Sequence, residues 1–461
     1  MRRAQIVLVL AGLLGVVALA SGQELLENGN RGRGRESATL IRKASFVLTM
    51  DTRLGDGLLG ELENADVLIV GDRIAAVGAG LKPAPRTRVI DGRGMIVMPG
   101  FVDTHDHLWQ SVIRGCAADE GVEKWFPRCG TPLAAEFREH EAYAAVRLST
   151  TGLIDSGITT VVDWSHAFNP GFVRGNLHAL NDSGLRYAWA MKSSSSDAIK
   201  ATKAEFIDPN PLGTLQIAGF INLDALKSTV ALAKELGVKV HVHLLESEEE
   251  RSNDPIQILE DSGTLALGPD FLAAHVIHIT PVELAKLAQN RNSVSHQPLS
   301  NMRLASGVMP YAEMEYAGIR IGLGLDGGSN DTIDAFNNMR AAVGLQRAFS
   351  IDPKRSPTVE EVLRAATLGG AEVLGMADKI GSLTPGKQAD VIIIDTKMLN
   401  FAPVLKPVSQ LVFNGQPQNV KWVFVAGRIL KDDGKVTGVN ERKLIEAAQA
   451  ATNRLSGFIN P

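Results

Sequence analysis

The sequence predicts an α/β protein: a (β/α)8 TIM barrel with a small β-sandwich domain built from both ends of the chain. Three observations point there. Eight apolar, β-like runs alternate with amphipathic helical stretches over about 250 residues, the arithmetic of a closed eight-stranded barrel. Short β-rich pieces broken by glycine and proline turns occur near both termini, as expected if the barrel is inserted into one smaller domain. Polar side chains collect where the apolar runs end, at the rim where such barrels carry their chemistry.

In chain order, Arg2 and Arg3 precede the apolar run Ile6 to Ala20, and Ala18-Leu19-Ala20 has the small-residue spacing of a cleavage site. Residues 1–22 therefore read as a secretory signal peptide, because the run is short of the roughly 20 residues that a membrane span needs. The expected location is periplasmic or secreted after cleavage near Ala20, and membrane-anchored if the segment is kept. Residues 23–39 are polar and Gly/Arg-rich, a flexible, solvated linker. Residues 40–98 supply the N-terminal part of the β domain, with FVLTM, DVLIV, GDRIAAVGA and RVIDGRGMIVMPG. Its C-terminal part falls at 379–440, with ADVIIID and VKWVFVAGRIL, and 441–461 form a C-terminal helix or tail.

The barrel occupies 99–378. Its strands are MIVMPGFVDTH, TTVVDW, RYAWAM, LQIAGFI, VKVHVHLL, FLAAHV, NSVSH and IRIGLGLD, separated by helical stretches such as LDALKSTVALAKELG and TPVELAKLAQN. With 461 residues, 45% hydrophobic and 21% charged, the chain can bury a large core. A net charge of −4 offers no basic face, which argues against nucleic acid and suits a small neutral substrate. The only cysteines are Cys116 and Cys129. They could form one disulfide in an oxidising compartment, but the unpaired reading is preferred; either way a metal site must rest on histidine and carboxylate.

His105 and His107 close the first strand, His243 and Glu246 the fifth, His275 the sixth, His296 the seventh and Asp326 the eighth. Residues i and i+2 of a strand share a face, so His105 and His107 both point into the barrel mouth. With His243 and Asp326 they make three nitrogens and one carboxylate oxygen around one divalent cation, zinc or ferrous iron, with a position left for water. Such a cation lowers the pKa of its water towards about 7 and yields a nucleophile at neutral pH. Glu246, just past the strand end, reaches over the metal to protonate a ring nitrogen. His275 holds the attacking water, while His278 and His241 are assigned structural roles. Gly322 and Gly324 are expected to leave room beneath the metal. Gln110, Trp109 and His166 are candidate substrate contacts, and Trp125 and Phe126 could form an apolar lid.

PGFVDTHDH, HVHLLES, AAHVIH, SHQPLSNMRLASG, GLGLDGG and GSLTPGKQADVIIID, in this order from about residue 40 to 435, resemble the amidohydrolase superfamily. The likeness is to its branch of cytosine deaminase, guanine-type deaminases and triazine hydrolases. The resemblance implies metal ligands at His105, His107, His243 and Asp326, a proton-donating Glu246 and a water-orienting His275. Asp326 doubles as the base that takes the proton from the water and hands it to the leaving amine. Binuclear relatives use a lysine on the fourth strand; TLQIAGFI has none, so one metal is implied. Gln297, in SHQP where relatives often read SHNP, departs from the pattern and bears on pocket shape. The implied activity is hydrolytic deamination of an aminated N-heterocycle of purine, pterin, pyrimidine or triazine type, releasing ammonia, by a homo-oligomer with no stable membrane association once the leader is cut. Hydrolysis of a cyclic amide or a C–Cl bond at the same site is the alternative, and a non-catalytic scaffold the remote one.

Overall fold

A computed structural model describes residues 38–193, 195–327 and 332–459. The expected leader, residues 1–22, lies outside the described residues, as does the linker up to residue 37; Ala38 and Thr39 already belong to the first strand. Among the described residues no helix is long and apolar enough to cross a membrane.

Five strands precede the barrel: β1 (Ala38–Leu48), β2 (Glu61–Val70), β3 (Arg73–Gly78), β4 (Arg88–Asp91) and β5 (Met95–Pro99). The barrel strands are β6 (Phe101–Asp106), β7 (Ile158–Ser165), β8 (Arg186–Lys192), β9 (Gly213–Gly219), β10 (Lys239–Leu244), β11 (Phe271–His275), β12 (Ser293–His296) and β13 (Arg320–Leu323). Four more follow: β14 (Val391–Asp395), β15 (Val420–Val425), β16 (Arg428–Asp432) and β17 (Lys435–Val436). β6 to β13 close in sequence order into the expected parallel barrel. β6 and β7 are buried along their whole length, between barrel interior and outer helices, which is why they read as unbroken apolar runs.

The terminal strands form one hydrogen-bonded mixed sheet, in the order β17-β16-β15-β14-β5-β1-β2-β3 with β4 beside β1. The run MIVMPGFVDTH therefore divides. Met95–Pro99 leaves the barrel and pairs antiparallel with β14, and the barrel begins at Phe101. The division falls at Gly100, where a Cβ would lie 2.1 Å from the Thr159 side chain, so only glycine lets the chain pass from one sheet to the other.

A buried ion pair ties the two sheets together. Arg186 on β8 donates from Nε and Nη2 to the Asp390 carboxylate just before β14, at 3.0 and 3.2 Å, with side chains 5% and 2% exposed. Asp390 also accepts from the Ala426 N–H at 2.7 Å. Arg186→Met leaves that carboxylate buried without its cation, and is expected to cost about 3–5 kcal/mol in urea unfolding, with Arg186→Met/Asp390→Leu recovering most of it. Equal stability of wild type and single variant refutes the tie.

The last helix, Glu441–Leu455, packs Ala448, Ala451 and Leu455 into an aromatic cluster with Trp109, Trp125, Phe137 and Phe172. Thr452 Oγ1 donates to the Val112 carbonyl at 2.8 Å, so the chain's end braces the segment that follows β6.

Candidate metal centre

His105 on β6, His107 just beyond it, His243 on β10 and Asp326 after β13 converge, with one donor atom from each lying within 4.8 Å of the others. Asp326 Oδ1 is 3.2 Å from His105 Nε2 and 3.3 Å from His107 Nε2, and the Nε2 atoms of His107 and His243 are 3.2 Å apart. Ligands of a tetrahedral zinc at about 2.0–2.1 Å stand roughly 3.3–3.4 Å from one another, so this spacing fits one ion.

Proton placement argues the same way. The Gln216 side-chain carbonyl, 3.1 Å from His241 Nδ1, can only accept, so that nitrogen carries the proton. His241 Nε2 then accepts from His105 Nδ1–H at 3.0 Å, which leaves His105 Nε2 bare, buried and without a hydrogen-bond partner. His107 Nδ1–H donates to the Trp164 carbonyl at 2.7 Å, so its Nε2 presents a lone pair to His243. The bare His105 Nε2 and the Asp326 Oδ1 that faces it at 3.2 Å, both acceptors in a buried site, call for a cation. Burial holds His105 down to about 4, and although burial pushes Asp326 up, the His105 and His107 contacts keep it well below the usual carboxylate range. Both groups are thereby in the protonation state that binds metal.

Glu246 and His275 join Asp326 in a second, overlapping group. His275 Nε2 lies 3.5 Å from Glu246 Oε2 and 4.0 Å from Asp326 Oδ2. Burial raises the Glu246 carboxyl to about 7, so it holds a proton near neutrality, and its buried Oε1 has no hydrogen-bond partner. His275 and Asp326 both sit at left-handed backbone angles, φ 70° and 65°, unusual for non-glycine residues and found where a site dictates geometry. Gln297 accounts for one of them: its Oε1 accepts the His275 N–H at 2.8 Å, while its Nε2 donates to Ser295 Oγ. It is fully buried and bears on the pocket through the His275 backbone it holds. Asn301 Oδ1 accepts from His275 Nδ1–H at 2.9 Å, and Ser300 Oγ donates to Asp326 Oδ2 at 2.5 Å.

Above the cluster opens a cavity of about 320 Å³. His107, His243, Glu246 and Asp326 form its floor; Gln110, Trp164, His166, Val122, Trp125 and Phe126 are among its walls. Two of the three candidate substrate contacts, Gln110 and His166, thus line it. Trp109 does not: it is fully buried behind His166, packed on Phe137 and Phe168, and its indole N–H donates to His166 Nδ1 at 3.1 Å. That bond leaves the proton of a neutral His166 on Nε2. Trp125 and Phe126 do wall the cavity, with Phe126 stacked on His166 at 4.8 Å.

Several positions differ from expectation. His296 closes β12 but joins neither group; it is buried against Tyr311 with both ring nitrogens unpartnered. Gly324 leaves room for the backbone of β6, since a Cβ there would meet His105 N and O at 2.9 and 2.8 Å, and Gly322 faces Thr104. Cys116 and Cys129 are joined in a disulfide, against the unpaired reading. Their Cα atoms stand 6.1 Å apart because the helix Val122–Cys129 folds back on the segment after β6, a return that spacing alone does not reveal.

Asp163, Gln216 and Asn301 also shape the site, without having stood out in the sequence. Asp163, in VVDW, accepts the Leu108 N–H at 3.1 Å and the Asn176 side chain at 2.9 Å, fixing the chain just past His107. Its place at a strand end was the available signal.

Burial pulls the His296 imidazole from 6.5 to about 3. The unfolded chain therefore binds one more proton between these values, and stability is lost as pH falls through that window, by about 1.4 kcal/mol per pH unit. Wild type should show a stability–pH slope steeper by about that amount than His296→Leu in urea unfolding between pH 6.5 and 4; parallel curves refute it.

The model of the amidohydrolase family matches residues 96–430. A 5'-deoxyadenosine deaminase from Methanobrevibacter smithii is 31% identical over 91% of this chain and 98% of its own. A 5-methylthioadenosine/S-adenosylhomocysteine deaminase from Pelotomaculum thermopropionicum is 30% identical over 91% and 99%. Among solved structures, an adenosine deaminase from Xanthomonas campestris with bound zinc superposes with a TM-score of 0.83 at 26% identity, covering 91% of this chain and 99% of that one.

Proposed function

The chain belongs to the amidohydrolase family, and from that premise we infer that it is a metal-dependent hydrolytic deaminase of aminated purine nucleosides. The observation that carries the reading is the set of three histidine nitrogens and one carboxylate spaced for a single cation beneath the cavity. His105, His107, His243 and Asp326 would hold it, and zinc, which the Xanthomonas campestris structure contains, is the proposed ion. A bound divalent cation supplies a water that ionises near neutral pH.

The chain's own residues do the rest. Glu246, kept protonated near neutrality by burial, gives its proton to the ring nitrogen beside the attacked carbon. Asp326 Oδ2 takes the proton from the attacking water and passes it to the departing amine, while His275 Nε2 orients that water. The Trp125, Phe126 and Trp164 rings exclude solvent around a flat heterocycle, and His166 Nε2–H offers it one fixed donor. Ammonia release from 5'-deoxyadenosine, 5'-methylthioadenosine and adenosine by zinc-loaded enzyme tests the reading; no release from these or from pterins, pyrimidines or triazines sinks it.

We also propose export. The leader-like residues 1–22 and the Cys116–Cys129 disulfide both suit an oxidising compartment. Sequencing the N-terminus of the mature protein checks this, with a new start near residue 21 expected.

A further inference from the structure

The disulfide belongs to no part of the chemistry above, yet it closes the segment that walls the substrate cavity. Residues 114–119 are turns, with Gly115 and Ala117 at positive φ, and lead through Glu120 and Gly121 into the eight-residue helix Val122–Cys129. A helix that short does not hold itself together in water. Ties within the segment and one to the barrel hold it over the mouth, and Arg128 Nη1–H donating to Glu120 at 3.1 Å is among the internal ones. Trp125 Nε1–H donates to the carbonyl of Cys116 itself at 3.0 Å, Ser247 Oγ, next to Glu246, donates to Glu123 at 2.5 Å, and the Cys116–Cys129 bond joins the segment's two ends. From this segment Val122, Trp125 and Phe126 face the cavity, while every group assigned to the cation or to proton transfer comes from strands or the residues at their ends.

We propose that Cys116 and Cys129 are positioning residues whose disulfide sets the Trp125–Phe126 wall, so that substrate capture requires an oxidising environment while the chemical step does not. The proposal rests on the deaminase reading for its activity arm. Bond formation takes two electrons and two protons from the thiols of Cys116 and Cys129 and delivers them to the disulfide of a thiol–disulfide oxidant, which leaves as a dithiol. A phosphine reductant reverses it, returning two thiols and leaving as the phosphine oxide after water adds. Before oxidation the wall is held by hydrogen bonds, the Arg128–Glu120 ion pair and packing, with no covalent link between the segment's ends to fix its aromatic faces over the heterocycle.

The test compares zinc-loaded full-length enzyme as purified, the same enzyme reduced with a phosphine, and Cys116→Ser/Cys129→Ser. KM for 5'-deoxyadenosine is expected to rise about tenfold or more in both altered forms, with kcat within about threefold and zinc content unchanged. Hydrogen exchange of residues 114–130, measured without substrate, should speed up on reduction, while that of β6 and β10 should not. Equal KM in the oxidised and reduced enzyme overturns the proposal, as does unchanged exchange, or alkylation of both cysteines in the unreduced protein. If the double variant does not fold, the chemically reduced wild type decides. If no substrate is deaminated even by the oxidised enzyme, the functional reading fails and the exchange comparison alone decides the role of the disulfide.

Discussion

Asp326→Ala is expected to remove the cation and the activity together, as is His243→Ala. Zinc should fall from roughly one ion per chain to background, and turnover should drop by more than about 10⁴-fold. The reason is geometric. Asp326 Oδ1 lies within 3.3 Å of both His105 Nε2 and His107 Nε2, and it brings the only negative charge in the four-residue group. Without it, three neutral imidazoles converge on a buried point with no anion to balance a divalent ion. His243→Ala removes the nitrogen facing His107 at 3.2 Å and leaves a two-histidine, one-carboxylate set. Metal analysis beside a kinetic assay checks both. A variant that keeps full zinc and full rate would show that the convergence is not the working centre.

Glu246→Gln separates metal binding from proton transfer. The glutamate stands in the group with His275 and Asp326 and outside the one with His105, His107 and His243. Glutamine keeps its size and can still donate a hydrogen bond, but it cannot give up a proton to a ring nitrogen. Zinc content is expected to stay at the wild-type level while kcat falls by about 10²–10⁴-fold, the range for losing a general acid, with little change in KM. Retained kcat would remove the assigned role, and lost zinc would turn the residue into a ligand.

The ligand set was legible because it depends on strand periodicity and on strand ends. His105 and His107 share a face by alternation, and His243, His275 and Asp326 each mark the close of an apolar run. His296 obeys the same rule and yet points into the core beside Tyr311, because a strand end fixes height in the barrel but not which way a ring turns. Trp109 was misread for a related reason. Nearness in sequence to His107 placed it at the rim, whereas the 3₁₀ turn Leu108–Ile113 carries its indole back under His166. MIVMPGFVDTH looked like one strand because both halves are apolar, and only the Thr159 side chain pressing on Gly100 reveals the break. The Gln216–His241–His105 relay spans three strands, so no local pattern could announce it.

The position of β14 between β5 and β15 has a consequence for biogenesis. When β5 leaves the ribosome its outer edge has no neighbour, and the strand that covers it is synthesised roughly 300 residues later. Until then the nascent polypeptide cannot finish its smaller sheet or lock it to the barrel through Arg186 and Asp390. Shortening its tail should therefore yield an aggregation-prone product with an open β edge.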